Sequence, residues 1–228
     1  MRLFITGGTG VLGRALRPVA RAAAHELVMP SHDKLDLFDP FAVSDAIRDA
    51  DPHAVLHLAT RILPLDQLTN PEAWYENDRL RIEATRNLVT ASLATRVGAF
   101  VFPSVAFVYP PGGRTTEDTP IGDVAPTVRS ALVGEHETAR FTHAGRSGVV
   151  LRFGLLDGPG TGHAAPVASF GATLHVGDAA CALLAALYLP AGIYNVNRDG
   201  EYVSNRRFTE AAGWHPISSQ TQSAFAGL

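Results

Sequence analysis

The clearest chemistry in the chain lies in eight residues near its start, Thr6-Gly7-Gly8-Thr9-Gly10-Val11-Leu12-Gly13. Gly7, Gly10 and Gly13 stand three apart, between a short apolar run at 2–6 and an amphipathic stretch at 11–24. Lacking a Cβ, such glycines let the backbone turn tightly and let a pyrophosphate reach the first helical turn. Free N–H groups and the helix dipole there favour an anion. Set between a strand and a helix, Gly7, Gly10, Val11, Leu12 and Gly13 read as a dinucleotide cradle. The competing reading is a strand–helix turn with no ligand. Such a site normally carries an acid at the end of its second strand, against the ribose 2′-hydroxyl. Here that strand ends Met29-Pro30-Ser31-His32, so Ser31 stands in the acid's place, with Arg14, His32 and Lys34 as neighbours. A 2′-phosphate meets no carboxylate, and NADP is expected in preference to NAD. Asp36, with Leu37 beside it, is a candidate for the adenine amino group; Leu58, Ala59 and Thr60 are candidates for the cofactor's second half. Asp39 is better explained as a helix cap, and His57 reads equally as a packed histidine or a ligand contact.

The elements that must position these residues alternate in the first half. Strands are expected at 2–6, 26–29, 54–59 and 99–103, and helices at 11–24, 41–50 and, as one long element, 71–96. In the first helix Leu12, Leu16, Val19 and Ala23 share one face while Arg14, Arg17 and Arg21 share the other. Asp39 and Pro40 supply an N-cap and a first helical position. This alternation implies right-handed crossovers and a parallel sheet. Beyond it, 110–126 reads as a loop, 127–143 as a helix, 148–153 as a strand, 156–172 as a loop, 178–189 as a helix and 193–196 as a strand. The expected fold is α/β, a doubly wound parallel sheet. Residues 1–155 form its dinucleotide-binding core and 156–228 a reduced substrate lobe whose strand and helix return to that core.

Composition narrows the partners. The chain has 228 residues and a net charge of −3, which does not suit phosphate neutralisation as a main purpose, so no nucleic-acid partner is expected. One cysteine, Cys181, excludes an internal disulfide and a cysteine zinc cage. The longest apolar run, 179–189, is 11 residues, too short for a bilayer span, and the start reads as a strand and not as a leader. A cytoplasmic protein acting on a small molecule, without membrane or metal, is expected. The chain also holds 18 arginines and a single lysine, Lys34.

The order and spacing of several short motifs resemble the extended short-chain dehydrogenase/reductase superfamily, in its NAD-dependent epimerase/dehydratase group. They are 6–13, 35–39, 57–59, Thr85-Arg86-Asn87-Leu88, and Phe100-Val101-Phe102-Pro103-Ser104 with Val108-Tyr109. They continue with Leu151-Arg152-Phe153-Gly154 and Gly158-Pro159-Gly160, then His175-Val176-Gly177-Asp178, 192–196, Ser204-Asn205-Arg206 and Gly213-Trp214-His215-Pro216. The resemblance implies a Rossmann sheet, a bound nicotinamide dinucleotide and a small-molecule substrate of the nucleotide-sugar or secondary-metabolite type. It also implies a homodimer built on the helices at 71–96 and 127–143.

The same resemblance exposes what is missing. The family uses a Tyr-x-x-x-Lys helix, in which the lysine lowers the tyrosine pKa and holds the ribose, together with a serine and an asparagine. In this sequence the tyrosine position falls on Thr127, the lysine position on Ala131, the serine position on Val105 beside Ser104, and the asparagine position on Arg81. None of the tyrosines, at 75, 109, 188, 194 and 202, stands four residues before a lysine. Only 15 residues separate Pro159 from His175, where the family places a longer substrate segment. Tyr109, Thr127, Ser104, Asp157 and His163 remain as candidate acid–base groups. His136 reads as solvated, and Arg81 as a helix-surface arginine, the competing reading being a partner for a cofactor phosphate or an acidic substrate. Three functions stay open: an oxidoreductase or epimerase with an unorthodox proton donor, a non-redox cyclase or isomerase on the same scaffold, and a dinucleotide-binding sensor or subunit without catalysis.

Overall fold

A computed structural model describes residues 1–63, 71–110, 112–167, 171–198 and 202–216. Strand β1 (Arg2–Thr6) alternates Leu3 and Ile5 toward one face and Phe4 toward the other, the period of a strand buried on both sides. The glycine turn leads to helix α1 (Val11–Ala22) and strand β2 (Glu26–Val28). Helix α2 (Pro40–Ala50) starts where Asp39 accepts hydrogen bonds from the Phe41 and Ala42 amides, with Pro40 first in the helix. Strand β3 (Ala54–His57) is wholly buried.

The expected long helix at 71–96 is a rod with three textures. A 3₁₀ turn (Pro71–Trp74) leads into α3 (Tyr75–Arg79), then a π turn (Leu80–Ala84), then α4 (Thr85–Leu93). It stops three residues short of 96, where 94–96 form a turn and Arg96 pairs with Asp51. Strand β4 (Ala99–Val105) runs two residues beyond its expected end, since its neighbour pairs as far as Val105. Helix α5 (Pro126–His143) and strand β5 (Ser147–Phe153) follow.

The stretch at 156–172, expected as a loop, instead opens in strand. β6 (Leu155–Asp157) pairs with β7 (Thr173–His175) in a separate two-stranded sheet. Neither strand shows in the pattern, because each is three residues long and only its partner makes it extended. Helix α6 (Val176–Ala185) begins two residues early, where His175 accepts from the Gly177 amide, and strand β8 (Gly192–Val196) completes the main sheet. Helix α7 (Arg206–Ala212) closes the described chain.

The six-stranded sheet has the order β2-β1-β3-β4-β5-β8, and every pair is parallel. One apolar cluster joins Leu3, Ile5 and Leu151 to Leu16, Leu183 and Phe208 of α1, α6 and α7. The other joins Phe4, Phe100 and Phe102 to Val43, Leu88 and Phe141 of α2, α4 and α5. The direction of winding reverses between β1 and β3, so a crevice forms outside the carboxyl ends of those strands.

Candidate functional site

That crevice is where the glycine turn lies. Gly7 takes φ +70°, and a Cβ on it would stand 2.6 Å from the backbone of Leu58 and Ala59 at the end of β3. A Cβ on Gly13 would lie 2.4 Å from the Gly7 carbonyl. The turn is closed by Gly10 N–H donating to the Gly7 carbonyl at 3.0 Å. Glycine is therefore required on both sides of the turn, and main chain from β1 and β3 meets there without intervening side chains. Gly10 caps α1 with no side-chain hydrogen bond, so the first amides of the helix, around Val11 and Leu12, are left without a side-chain acceptor, an arrangement that can hold an anion. Arg14 is exposed and reaches back to the Thr9 carbonyl at 2.9 Å; Thr60 is exposed at the crevice's far lip.

At the end of β2, Ser31 sits in a turn with exposed His32, Asp33 and Lys34. A hydrogen bond from Ser31 holds the Asp33 carboxyl below its ordinary range, so an acid that pattern alone overlooks stands two residues from Ser31. Asp36 accepts from the Phe38 amide at 2.8 Å and shapes the next turn. The Leu37 carbonyl accepts from Asn87 Nδ2 at 3.0 Å, and the Arg79 guanidinium lies 3.8 Å over the Phe38 ring. The rod therefore fixes the loop that would flank an adenine.

His57 is a packed residue. It is fully buried; Nδ1 is 2.7 Å from the Thr6 hydroxyl, and Nε2 is 3.0 Å from the Leu80 carbonyl. A carbonyl only accepts, so Nε2 carries the proton and Thr6 donates to Nδ1. Burial pushes the His57 pKa down to about 4, and the Leu80 bond offsets this only in part. Thr85 Oγ1 also donates to the Leu80 carbonyl, at 3.4 Å. Drawn toward two side chains, that carbonyl marks the start of the π turn, a feature frequent at functional sites.

Arg81 is not the helix-surface arginine the sequence suggested. The π turn carries it into the interior, where it is 3% exposed, and its Nε and Nη1 have no hydrogen-bond partner among the described residues. Burial pulls its pKa down to about 10, opposed by the charge of Asp78. Ala131 is fully buried on α5, the helix packed against the π turn, and the neighbouring Ser130 Oγ is also unpartnered.

A second polar group lies farther along the sheet. Ser104, Arg152 and Asn195 are cross-strand neighbours on β4, β5 and β8. Ser104 donates to Glu135 at 2.5 Å; Arg152 grips both Glu135 oxygens at 2.9 and 2.6 Å; and Arg152 Nη1 donates to the Tyr109 hydroxyl at 2.8 Å. Tyr109 in turn donates to Asn195 Oδ1 at 2.7 Å. Burial raises the Tyr109 pKa, against the lowering influence of Arg152. Ser104 and Tyr109 therefore have their hydroxyls committed inside a buried network, and Glu135, which no motif marked, is its hub. Asp157 is buried, with both its oxygens held by Arg198 at 2.5 and 2.9 Å. Both oxygens of that carboxylate are thereby occupied, and neither is left to face a substrate. Thr127, half-buried on the first turn of α5, and His163, half-buried in a loop that its backbone closes through Thr161 and Gly158, stand outside the network. His136 is exposed, as expected.

The outer faces of the rod and α5 carry ion pairs, Arg79 with Glu83 and Glu137 with both Arg86 and Arg140. Among the described residues no group of His, Cys, Asp and Glu could hold a metal ion, and no helix is long and apolar enough to cross a membrane.

Comparison with known proteins agrees with this geometry. A model of the NAD dependent epimerase/dehydratase family matches residues 3–183. The chain is 34% identical to the 3-diazoavenalumate denitrifying reductase of a Streptomyces species, over 98% of this chain and 82% of that protein. Among solved structures, RMD from Pseudomonas aeruginosa complexed with NADPH superposes with a TM-score of 0.76 at 22% identity, over 94% of this chain and 93% of that one. UDP-glucose 4-epimerase of Thermus thermophilus, complexed with NAD, gives 0.72 at 23% identity, over 95% and 85%. At those identities the structural likeness speaks for the fold.

Proposed function

The chain belongs to the NAD dependent epimerase/dehydratase family, and from that premise we propose that it is a reductase transferring hydride from NADP(H) to a small metabolite without a tyrosine proton donor. The observation that carries this reading is the cradle at the switch point, where Gly7 and Gly13 leave no room for a Cβ and the first amides of α1 have no side-chain acceptor. The residues present fit a dinucleotide. Gly7, Gly10, Val11, Leu12 and Gly13 would hold its pyrophosphate, Asp36 and Leu37 its adenine, and Leu58, Ala59 and Thr60 its second half. Arg14, His32 and Ser31 would receive a 2′-phosphate, with Asp33 as the opposing charge. When bound, the reduced cofactor supplies a hydride.

The remaining question is the proton. Reduction of a carbonyl leaves an alkoxide that must be protonated, and a positioned acid contributes about 10²–10⁴-fold to such a step. On the family resemblance Thr127 and Ala131 fall where the tyrosine and the lysine are expected; Ser104 and Tyr109 are committed elsewhere, and Asp157 is held by Arg198. A substrate that accepts hydride without a proton removes the difficulty. The reductase to which this chain is 34% identical is named for denitrifying a diazo compound. At a diazonium carbon the hydride pair forms the new C–H bond while the C–N pair departs with N₂, and charge balances with no proton added. A diazonium-type substrate is therefore the class we assign. The substitution of the acid–base residues then becomes the expected consequence of the chemistry.

The test is calorimetry with NADP⁺ and NAD⁺, followed by turnover of reduced cofactor with 4-hydroxybenzenediazonium, scored by released N₂ and by deuterium carried from C4-labelled cofactor into the arene C–H bond. Tighter binding of NADP⁺ and protein-dependent label transfer are expected, both lost in Gly13→Ala. Absence of binding by either cofactor overturns the reading, and tighter binding of NAD⁺ overturns the preference. Binding without turnover of any hydride acceptor favours the sensor.

A further inference from the structure

Helix α1 differs from the other helices in what its arginines meet. Elsewhere an arginine on a helix finds a carboxylate one turn away: Arg48 pairs with Asp45, Arg79 with Glu83 and Arg206 with Glu210. The 12 residues of α1 include Arg14, Arg17 and Arg21 and neither Asp nor Glu. Among the described residues, none of these three arginines has a carboxylate within ion-pair distance. Arg14 also stands at the end of the first turn, where the helix dipole disfavours a cation. An anion brought to this end of the helix relieves both effects.

Two of the three are held in one place. Arg14 Nη1 donates to the Thr9 carbonyl at 2.9 Å, and Arg17 Nη2 to the neighbouring Gly8 carbonyl at 3.4 Å. Consecutive carbonyls of one turn therefore set the two guanidinium groups side by side. The Arg17 bond is long and engages a single nitrogen, while its Nε is buried and has no partner among the described residues. Gly8 in turn abuts the end of β2. A Cβ on it would lie 2.9 Å from Cε and 3.1 Å from Cβ of Met29, two residues before Ser31. Arg17 thus stands where the glycine turn meets the second strand, the place at which a dinucleotide's adenosine ribose is read. Arg14 reaches the other flank, its Nη2 3.4 Å from where Gly160 would carry a Cβ. The carboxyl of Asp33, in the turn after β2, is drawn down by Ser31 and the charge of His32, not by these arginines. Arg21 is exposed on the last turn of the helix, away from the glycine turn.

We propose that Arg17 is the specificity-determining residue for the phosphorylated dinucleotide: beside Arg14, it takes the adenosine 2′-phosphate from the side of α1. A phosphate monoester offers several charged oxygens to two adjacent guanidinium forks, whereas the 2′-hydroxyl of NAD offers one neutral oxygen. This rests on the reductase reading for the cofactor, and it adds a residue that neither the glycine spacing nor the turn after β2 supplies.

The experiment is calorimetry on wild type, Arg17→Met and Arg21→Met with NADP⁺ and NAD⁺, and with adenosine 2′,5′-bisphosphate and 5′-AMP as probes that lack the nicotinamide half. Arg17→Met is expected to weaken NADP⁺ and the bisphosphate by about tenfold or more, and to leave NAD⁺ and 5′-AMP within about twofold of wild type. Unchanged NAD⁺ binding also shows that the variant is folded; Arg17→Gln, scored in the same way, frees the outcome from the folding of one variant. Arg21→Met removes the same charge from the same helix and should leave all four affinities within about twofold, which separates contact from the general field. Equal losses for NADP⁺ and NAD⁺, no loss for either, or a matching loss in Arg21→Met would overturn the proposal. So would a wild type that does not prefer the bisphosphate to 5′-AMP. Arg17-dependent preference without hydride transfer strikes the reductase reading alone. Hydride transfer from NADPH and NADH bound equally well strikes this proposal alone.

Discussion

His57 couples the floor of the crevice to pH. The folded protein keeps this imidazole neutral down to about pH 4, while the unfolded chain takes up the proton near 6.5. Between those values the unfolded state binds more protons, so stability is full above about 6.5 and falls as the pH drops toward 4. The shift corresponds to about 3 kcal/mol lost across that window from this one side chain. Urea titrations at pH 7 and pH 4.5 should show the loss in wild type and a much smaller one in His57→Gln. An equal pH dependence in the variant would mean that other groups carry it. At this scale the sequence announces residues whose role is local. Asp39 reads as a cap because the amides that donate to it lie two and three residues on, and the glycines read as a turn because they need only each other. Arg81 and Glu135 are illegible for the opposite reason. The burial of Arg81 depends on a carbonyl held by a histidine 23 residues away from Leu80, and Glu135 reaches Ser104 across a separation of 31.

Helix α5 sits unusually low on the sheet. A Cβ on Gly134 would fall 2.2 Å from Cζ of Phe102, whose ring is buried at 2% and has nowhere to turn. Gly148 permits the same approach from β5, its missing Cβ lying 2.5 Å from the Thr138 carbonyl. This closeness lets Glu135 reach Ser104 and Arg152, and it brings α5 against the π turn. Gly134→Ala brings two opposed effects. Alanine gains about 1 kcal/mol as a helix former, while overpacking of this kind costs about 1–3 kcal/mol, and the rigid ring places it at the upper end. The expected outcome is net destabilisation of about 1–2 kcal/mol by chemical denaturation, with cofactor affinity reduced because α5 must lift. A stabilised variant would show that the ring yields after all. The alternation of strands and helices was legible because each carries its own period of apolar residues. The π turn was not, since Leu80–Ala84 reads as ordinary helix until His57 and Thr85 pull on its first carbonyl. The pairing of β6 with β7 was hidden for a similar reason, each strand being only three residues long.

In the whole molecule, the segments that follow residue 155 pack against those that precede it. The last strand of the main sheet, β8, comes from beyond it and lies against β5, while α6 packs on α1 and α7 on β8. Leu174, Val176, Leu183, Leu187, Leu189, Tyr194, Val196, Phe208 and Trp214 all bury their side chains in the described structure, most of them in the cluster that also holds Leu16 and Leu151. Each such side chain contributes about 2 kcal/mol on burial, so together they outweigh the roughly 5–15 kcal/mol by which a domain of this kind is stable. A fragment ending at residue 155 would keep the entire glycine cradle in its sequence, yet it would leave β5 as an uncovered apolar edge and strip from α1 the helix α6 that packs on it. It is expected to lack a cooperative thermal transition and to bind no NADP⁺. The full chain should melt in a single step whose midpoint rises with NADP⁺ concentration. A fragment 1–155 that unfolds cooperatively and binds the cofactor would show that the cradle is an independent domain, and that the returning strand and helices only decorate it.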